Sequence, residues 1–352
     1  MKNNGLYIHV PFCERKCGYC SFYSLSGCED KINSWLEVLE AEAKKYNSAV
    51  NTLYIGGGTP TVLDISQLEK LFEIIKRNFN LENLIEATVE ANPNSLNSEQ
   101  LKFFRENKIT RISLGVQSLN DNELKILGRL HNSEKALKAM ELVKSFNFEL
   151  NCDLIFGIPS QTLRTWAKSL KGVLNFANHI STYQLTLEPE TPLGKKYDNS
   201  DLNEKGYKFY RYAQYYLPKK NFVQYEISNF APEGHECKHN LLYWDHSNVI
   251  GLGSSAVSYV DGVRYKNSEN LNYCMAESEK LNPRECAIEL AILSLRTKYG
   301  IERKMFADLL PEIEEKLNSI PEDLFIKTPE RISLSKRGMR LGNSIWCELL
   351  DL

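Results

Sequence analysis

The strongest constraint on the fold is a regular alternation of short β-branched segments with longer amphipathic segments between Gly5 and about Glu188. Such alternation is typical of βα units, in which helices connect parallel strands. Six strands are predicted, over Leu6–Val10, Thr52–Ile55, Glu86–Glu90, Arg111–Val116, Leu150–Phe156 and Thr182–Leu187. Helices are predicted over Asn33–Lys45, Ile65–Asn78, Ser98–Glu106, Ser133–Phe146 and Thr162–Phe176. Six βα units are enough for a partial barrel whose chemistry lies at the carboxyl ends of its strands.

The rest of the chain departs from this pattern. The barrel is assigned to residues 1–195, and a region dense in aromatic residues predicts a barrel extension over 196–280. From roughly Asn282 the pattern becomes helical and then short-stranded, which predicts a small separate domain over 281–352. A chain of 352 residues with 42% hydrophobic residues is long enough to bury one large core and a smaller one.

Charge and composition narrow the function classes. With 43 basic and 45 acidic residues the net charge is −2, so no overall positive field attracts nucleic acid or anionic lipid. The N-terminus does not resemble a secretory signal, and no apolar stretch approaches the length of a membrane span. A cytoplasmic protein without an intrinsic membrane segment is therefore expected.

The chain has nine cysteines, which in a reducing compartment are expected to be thiols or metal ligands rather than disulfides. Scattered cysteines are usually small buried hydrophobic residues. That interpretation is applied to Cys28, Cys152, Cys237, Cys274, Cys286 and Cys347.

The other three cysteines, Cys13, Cys17 and Cys20, follow the first predicted strand directly. A loop there can wrap three thiolates around one metal centre. A 4Fe-4S cluster has four irons, so three cysteines leave one iron open to a small molecule. Zinc is the alternative, with His9 or Cys28 as fourth ligand, but the spacing and the glycine run that follows favour the iron–sulfur cluster.

The glycine run is Gly56-Gly57-Gly58-Thr59-Pro60, directly after the second predicted strand. Without side chains, backbone groups can approach a ligand closely. A tight strand-to-helix turn is the alternative, and it explains one or two glycines more readily than three.

Taken together, YIHVPFC, the CxxxCxxC spacing and GGGTPT resemble the radical SAM (S-adenosylmethionine) superfamily, in particular its oxygen-independent coproporphyrinogen III oxidase-like group. The resemblance covers nearly the whole chain. Further matching motifs, in chain order, are VEANP, SLGVQS, LGRLH, CDLIFGIP, LTLEP, YEISNFA and HNLLYW. The fold that the resemblance implies is a partial (βα)6 TIM-like barrel with an α/β extension and a small C-terminal winged-helix-like domain.

Within that group, the oxidase has a fourth cysteine two residues beyond the third, where this sequence has Phe22. Phe22, HNLLYW and the C-terminal LSKRGMRLGN are similar to the heme chaperone HemW branch. That resemblance implies a protein that binds heme as cargo and passes it to heme-dependent apo-proteins of respiration.

The resemblance also implies roles for individual residues. Cys13, Cys17 and Cys20 would ligate the 4Fe-4S cluster, whose open iron SAM would chelate through its amino and carboxylate groups. Tyr7 and Tyr19 would line this site, and Gly57 and Glu90 would hold SAM. The alternatives are a turn for Gly57 and a surface position for Glu90.

In the oxidase a second SAM has contacts that correspond to Gly58, Thr59, Gln117, Arg129 and Asp153. Asp153 lies at the centre of an apolar strand, where a buried carboxylate without a partner is costly. It therefore needs a ligand or a partner such as Arg129, and a structural ion pair is the alternative.

The only histidine-rich patch comprises His235, Cys237, His239 and His246. Imidazole and thiolate can both be axial ligands of heme iron. His239 is the candidate heme ligand, and the alternative is a hydrogen bond that fixes the HNLLYW turn.

One segment, Gly251–Val257, departs from the chaperone branch, which commonly has a Gly-Pro-Gly-Ala-His type sequence there. The main hypothesis is a heme chaperone with a 4Fe-4S cluster and SAM. The alternatives are an enzyme that cleaves SAM to a radical and acts on a porphyrinogen propionate, a radical SAM methyltransferase, and a zinc-binding or structural protein. A monomer and a dimer both remain open.

Overall fold

The computed structural model describes residues 4–197 and 199–350, with the backbone alone over 199–205. The strands are β1 (Asn4–Val10), β2 (Ser48–Ala49), β3 (Thr52–Gly57), β4 (Phe79–Asn80), β5 (Glu86–Ala91), β6 (Arg111–Gln117), β7 (Glu149–Phe156), β8 (His179–Gln184), β9 (Val223–Gln224), β10 (Asn229–Ala231), β11 (Asn248–Leu252), β12 (Val257–Val260), β13 (Val263–Asn267), β14 (Met275–Lys280), β15 (Ile301–Glu302), β16 (Phe325–Lys327) and β17 (Arg331–Leu334). The helices are α1 (Ile32–Ala43), α2 (Ile65–Asn78), α3 (Ser98–Glu106), α4 (Asp121–Leu127), α5 (Ser133–Ser145), α6 (Leu163–Val173), α7 (Asn199–Tyr216), α8 (Lys238–Trp244), α9 (Pro283–Ser294), α10 (Leu310–Asn318), α11 (Lys336–Arg340) and α12 (Gly342–Leu349).

A twelve-stranded mixed sheet organises the chain. Strands β1, β3, β5, β6, β7 and β8 are parallel neighbours in chain order, and β11 adds a further parallel strand on the other side of β1. Antiparallel strands extend both edges, with β10 and β9 beyond β8 and β12 to β14 beyond β11. The six strands of this sheet from β1 to β8 are the six that the sequence predicts, and the α/β fold class with a partial barrel is confirmed.

The inner face of this sheet is polar and its outer face is apolar. On β7, Leu150, Cys152 and Leu154 are fully buried in the core, whereas Asn151 and Asp153 line a cavity. Successive side chains of a strand point to opposite faces, so the period of two separates the helix-packed face from the cavity face. The barrel is therefore built to hold polar ligands inside.

Several barrel helices begin at a side-chain cap. Asp64 accepts a hydrogen bond from the Gln67 backbone N–H at 2.9 Å, and the Gln67 side chain accepts one from the Asp64 N–H at 3.0 Å. This capping box fixes the start of α2. The stripe of Leu68, Leu71 and Ile75 is buried against the sheet, as its spacing predicts.

Strand β8 and helix α4 depart from the prediction. Strand β8 begins at His179 and ends at Gln184, because its hydrogen-bonded register with β7 covers only that stretch. Helix α4 is not predicted, since it is short and its signal is a cap rather than a periodicity. Asn120 accepts hydrogen bonds from two backbone N–H groups at its start, and Gly128 ends it with a φ of 75°.

A second hydrophobic core lies in the C-terminal part, where β15, β17 and β16 form an antiparallel sheet. The helix–strand–helix–hairpin order agrees with the winged-helix-like expectation. The predicted limits of the three regions stay predictions, and α7, at the start of the predicted extension, contributes Phe209 and Ala213 to the barrel core. Among the described residues, no helix combines the length and apolar character that crossing a membrane requires.

The six scattered cysteines divide into three groups by exposure. Cys152 and Cys237 are buried, as expected, whereas Cys28 and Cys286 are only partly so. The prediction of burial is wrong for Cys274 and Cys347, which are exposed. Cys274 directly precedes β14, and Cys347 lies on α12 away from its buried residues Ile345 and Leu349.

Candidate cofactor site

A cavity of about 440 Å³ lies inside the barrel, towards the carboxyl ends of the parallel strands. It brings together most of the predicted site residues: Cys13, Cys17, Cys20, Tyr19, Gly57, Gly58, Thr59, Glu90, Gln117, Arg129 and Asp153. Two predicted residues lie elsewhere. Tyr7 lines a neighbouring cavity, and His239 is fully buried outside both.

The loop that carries the three cysteines is anchored by backbone hydrogen bonds. The N–H of Cys13 donates to the Leu25 carbonyl at 2.9 Å, and Gly18 bonds to Leu127 at 3.1 Å and to Leu193 at 2.8 Å. These contacts tie the loop to the rim of the barrel from two sides. The thiols therefore face the cavity from a fixed frame while lying outside the hydrophobic core.

Two of the thiols have donors from other elements. The Thr59 hydroxyl lies 3.5 Å from Sγ of Cys13, and Nη1 of Arg129 lies 3.3 Å from Sγ of Cys17. Burial raises the pKa of the Cys13 and Cys20 thiols. Hydrogen bonds of this kind stabilise a thiolate once a metal centre has replaced the proton.

The geometry does not form a single-ion site. In the part of the chain that the structure describes, no three His, Cys, Asp or Glu side chains converge so as to hold one metal ion. Both ring nitrogens of His9 are engaged, with the Tyr7 hydroxyl at 3.0 Å and the Tyr23 carbonyl at 2.9 Å. His9 is thus not free as a fourth zinc ligand, whereas a 4Fe-4S cluster takes each thiolate on a different iron.

At each of the three glycines of the run, a different structural constraint disfavours a side chain. A Cβ at Gly56 would lie 2.7 Å from the Glu90 carboxylate carbon, and one at Gly58 would lie 2.5 Å from the Phe12 carbonyl oxygen. Gly57 has a φ of 107°, which favours glycine. The run therefore allows the cysteine loop and the end of β5 to approach the end of β3 closely.

Glu90 is a partly buried carboxylate in the cavity wall, with two hydrogen-bond donors. The Tyr54 hydroxyl donates to Oε1 at 2.8 Å and the Gly57 N–H donates to Oε2 at 3.1 Å. Burial and then the nearby Asp153 raise the pKa of Glu90 to about 7. The alternative of a surface position is therefore wrong for Glu90, and the site contains a carboxylate poised between its two charge states at neutral pH.

Gln117 and Arg129 come from the end of β6 and the turn after α4. The register of β6 with β7 shifts between Leu114 and Gln117, and Gln117 has a φ of 65°. Such an irregularity re-aims a side chain at a sheet end. Arg129 also donates to the Gly115 carbonyl at 2.8 Å, which holds its guanidinium beside the cysteine loop.

Asp153 is held by neutral donors. Asn151 donates to Oδ1 at 2.8 Å and the Ser113 hydroxyl donates to Oδ2 at 3.2 Å. Burial raises the pKa of this carboxyl, and the hydrogen bonds oppose that shift more than Arg129 does. The ion pairs of the described residues do not include one with Arg129, so the structural ion-pair alternative is wrong.

His239 lies at the opposite end of the barrel. Its ring nitrogen Nδ1 is 2.8 Å from the Thr52 hydroxyl, and Nε2 is 3.2 Å from the Tyr243 hydroxyl. Its backbone N–H donates to the Glu86 carboxylate at 3.0 Å. Thr52 and Glu86 begin β3 and β5, so α8 closes the amino ends of the strands. Burial lowers the pKa of His239 to about 3. This arrangement matches the alternative of a hydrogen-bonded histidine that fixes HNLLYW.

The sequence interpretation missed Tyr54, Ser113 and Asn151, which hold the carboxylates of Glu90 and Asp153. Tyr54 lies two residues before the glycine run, on the inner face of β3. The signal that could have identified all three is the period of two within each strand, which places polar residues on the cavity face.

Comparison with known proteins agrees with this geometry. The family model of the radical SAM superfamily matches residues 7–172. The solved structure of coproporphyrinogen III oxidase (HemN) from Escherichia coli superposes with a TM-score of 0.85, covering 99% of this chain and 90% of that one at 21% identity. At that identity the likeness concerns the fold alone. Fold, cysteine loop and superfamily match together define a radical SAM protein.

The sequence relatives narrow this class. The heme chaperone HemW of Lactococcus lactis is 34% identical, with 99% of this chain and 98% of that protein covered. The heme chaperone HemW of Bacillus subtilis is 33% identical, with 97% of both covered. The chain belongs to the HemW family of heme chaperones.

Membership of the superfamily implies a 4Fe-4S cluster and SAM, and the residues fit both. Three thiols reach the cavity from one loop, which leaves one iron of a cluster open. The Glu90 carboxylate and the backbone carbonyl of Gly57 are the kinds of acceptor that a cationic amine needs, and both residues line the cavity. When bound, these cofactors supply one-electron chemistry that no side chain provides.

Proposed function

We propose that the protein binds heme and delivers it to heme-depleted apo-proteins in the cytoplasm, with a 4Fe-4S cluster and SAM as resident cofactors. The observation that carries this proposal is similarity over nearly the whole chain to bacterial proteins named heme chaperones. The acceptors would be heme-dependent proteins of respiration.

In this proposal Cys13, Cys17 and Cys20 ligate the cluster, and Gly57 and Glu90 hold the amine of SAM. The charged form of Glu90 attracts the amine, so SAM itself favours deprotonation of this carboxyl. Tyr19, Gly58, Thr59, Gln117, Arg129 and Asp153 line the rest of the cavity and would set the orientation of SAM within it.

Phe22 favours the chaperone over an oxidase that acts on porphyrinogen. Its side chain is 70% exposed, and it has no group that can ligate iron or transfer a proton. It stands where, by the resemblance, the oxidase itself has a fourth cysteine. An exposed aromatic ring at the rim of a cofactor cavity suits contact with a flat apolar cargo.

The test is heme transfer by anaerobically reconstituted protein. Cluster-loaded protein is charged with heme, mixed with a heme-depleted acceptor such as apo-cytochrome b, and the acceptor's spectrum is followed. Transfer that is faster than from free heme is expected. The matched control is Cys17→Ala protein charged with the same amount of heme, which reports whether the cluster is required.

Coproporphyrinogen decarboxylation is measured in the same sample with SAM and reductant added. Transfer without decarboxylation is the expected result. Decarboxylation, or the lack of both heme binding and transfer, would overturn the chaperone proposal in favour of the enzyme alternative.

A further inference from the structure

A second cavity, of about 660 Å³, adjoins the cofactor cavity. Ser21, Phe22, Gly57 and Glu90 line both, so the two cavities meet at the cysteine loop. The second cavity extends from there between the end of α8 and strands β12 and β13. Its volume is in the range of sites for cofactor-sized ligands.

The walls of this cavity are rich in aromatic rings. Tyr23, Tyr243, Trp244 and Tyr259 line it together with Phe22. Tyr243 is 39% exposed and Phe22 is 70% exposed, so these rings do not serve to fill a hydrophobic core. Ring faces open to a cavity are suited to stack on a flat aromatic ligand.

Two cations stand at the edge of the cavity. Arg264 and Lys266 lie two residues apart on β13 and therefore on the same face of the strand. Lys266 pairs with Glu269 at 3.1 Å, and Arg264 pairs with Glu289 and with Glu279. These pairs are partly exposed, so a ligand carboxylate can share or replace a partner at low cost.

His9 and His246 both line this cavity, and His246 shares its carboxylate partner, Glu289, with Arg264. The Nε2 of His246 lies 3.1 Å from the Glu289 carboxylate and its Nδ1 lies 3.2 Å from the Tyr259 hydroxyl, with the two rings stacked at 4.0 Å. A histidine that ligates a metal almost always donates its other ring N–H to such a carboxylate or to a carbonyl. With the proton on Nε2, the lone pair of Nδ1 is held only by a hydroxyl that can rotate away.

The backbone here is strained. His246 has a φ of 57° and Ser255 a φ of 62°, and both line the cavity. Non-glycine residues in the left-handed region cost free energy and concentrate at ligand sites.

We propose that this second cavity is the heme site, in which Arg264 and Lys266 bind the two propionates and His246 ligates the iron. The assignment rests on the proposed heme chaperone function and places the cargo beside the cofactor cavity, with Phe22 at the junction. His239 is fully buried and lines neither cavity, so it has no part in this site.

The test is titration of the cluster-loaded protein with heme and with iron-free protoporphyrin, followed by absorbance. In R264Q/K266Q the affinity for both ligands is expected to fall at least about tenfold, because both carry propionates. In H246N the heme spectrum is expected to change and added imidazole to restore it, while protoporphyrin binding stays as in the wild type. Asparagine tolerates the left-handed backbone, so H246N is expected to fold.

Matched controls remove equivalent groups elsewhere. His235 pairs with the Glu149 carboxylate at 2.7 Å, outside both cavities, and H235N is expected to bind heme as the wild type does. R331Q/R337Q removes two paired arginines from the C-terminal part. If wild-type protein binds no heme, the proposed function fails. If it binds and transfers heme but R264Q/K266Q and H246N are indistinguishable from it, only the site is overturned.

Discussion

The Tyr54 hydroxyl donates a hydrogen bond of 2.8 Å to the Glu90 carboxylate across two neighbouring parallel strands. The two residues lie 36 positions apart in the chain, and the register of β3 with β5 brings them together. This bond stabilises the charged form of a carboxylate that burial would otherwise neutralise. The charge that would hold SAM therefore depends on a phenol in the barrel wall.

Tyr54→Phe is expected to raise the pKa of Glu90 above its value of about 7, because the stabilising donor is lost. At neutral pH more of the carboxyl is then protonated, so SAM binds more weakly. Calorimetric titration with SAM from pH 6 to pH 9 measures this. The midpoint at which affinity is lost on acidification should be higher in the variant than in the wild type, and an unchanged midpoint would contradict the role given to Tyr54.

Asp153→Asn is expected to act in the opposite direction. The negative charge of Asp153 raises the pKa of Glu90, so removing it lowers that pKa and extends SAM binding to lower pH. Asparagine keeps the shape of the side chain. The same titration as for Tyr54→Phe compares the two variants, and shifts of the same sign in both would rule out the assigned electrostatics.

Cys17→Ala is expected to lose the cluster and leave the barrel folded. The Cys17 side chain lies in the rim loop and is absent from the core that the described residues form. Iron content and visible absorbance after reconstitution report the cluster, and far-ultraviolet circular dichroism reports the fold. Cys274→Ala, at an exposed cysteine, is the control and should retain iron. Loss of both fold and iron in Cys17→Ala would contradict the loop assignment.

Gly58→Ala is expected to destabilise the protein by about 1–3 kcal/mol, since the added methyl group meets backbone rather than a flexible side chain. The Phe12 carbonyl oxygen would lie 2.5 Å from the new Cβ. Chemical denaturation measures the loss in the free energy of unfolding. Gly27→Asn is the control, because Gly27 has open space around it and asparagine tolerates its φ of 67°. Equal stability of the two variants would show that the contact can relax.

Much of the barrel could be predicted because each unit carries its own local signal. Strands β1, β3, β5, β6 and β7 are short β-branched runs, and α2 has both a cap and an apolar stripe. The cysteine loop and the glycine run are contiguous in sequence, so their juxtaposition with the end of a strand could be inferred. Glu90 was identified through its motif, although its burial could not be read from its neighbours.

The contacts that define the second cavity could not be predicted. Phe22, Tyr243 and Arg264 come from three distant parts of the chain, and their meeting depends on β11 pairing in parallel with β1. No periodicity records that pairing. The same topology explains the positions of two histidines. His239, in the HNLLYW motif, lies at the amino ends of the barrel strands, whereas His246 lines the second cavity.

Phe22→Ala separates a role in cargo binding from a role in folding. The ring is 70% exposed, so its removal should change the free energy of unfolding by no more than about 0.5 kcal/mol. Heme affinity should nevertheless fall, because the ring stands where the two cavities meet. Thermal unfolding and heme titration of the same preparation measure the two effects. Met305→Ala, which removes a side chain from a residue 64% exposed in the C-terminal part, should leave heme affinity unchanged. Wild-type affinity in Phe22→Ala would mean that this ring does not contact the cargo.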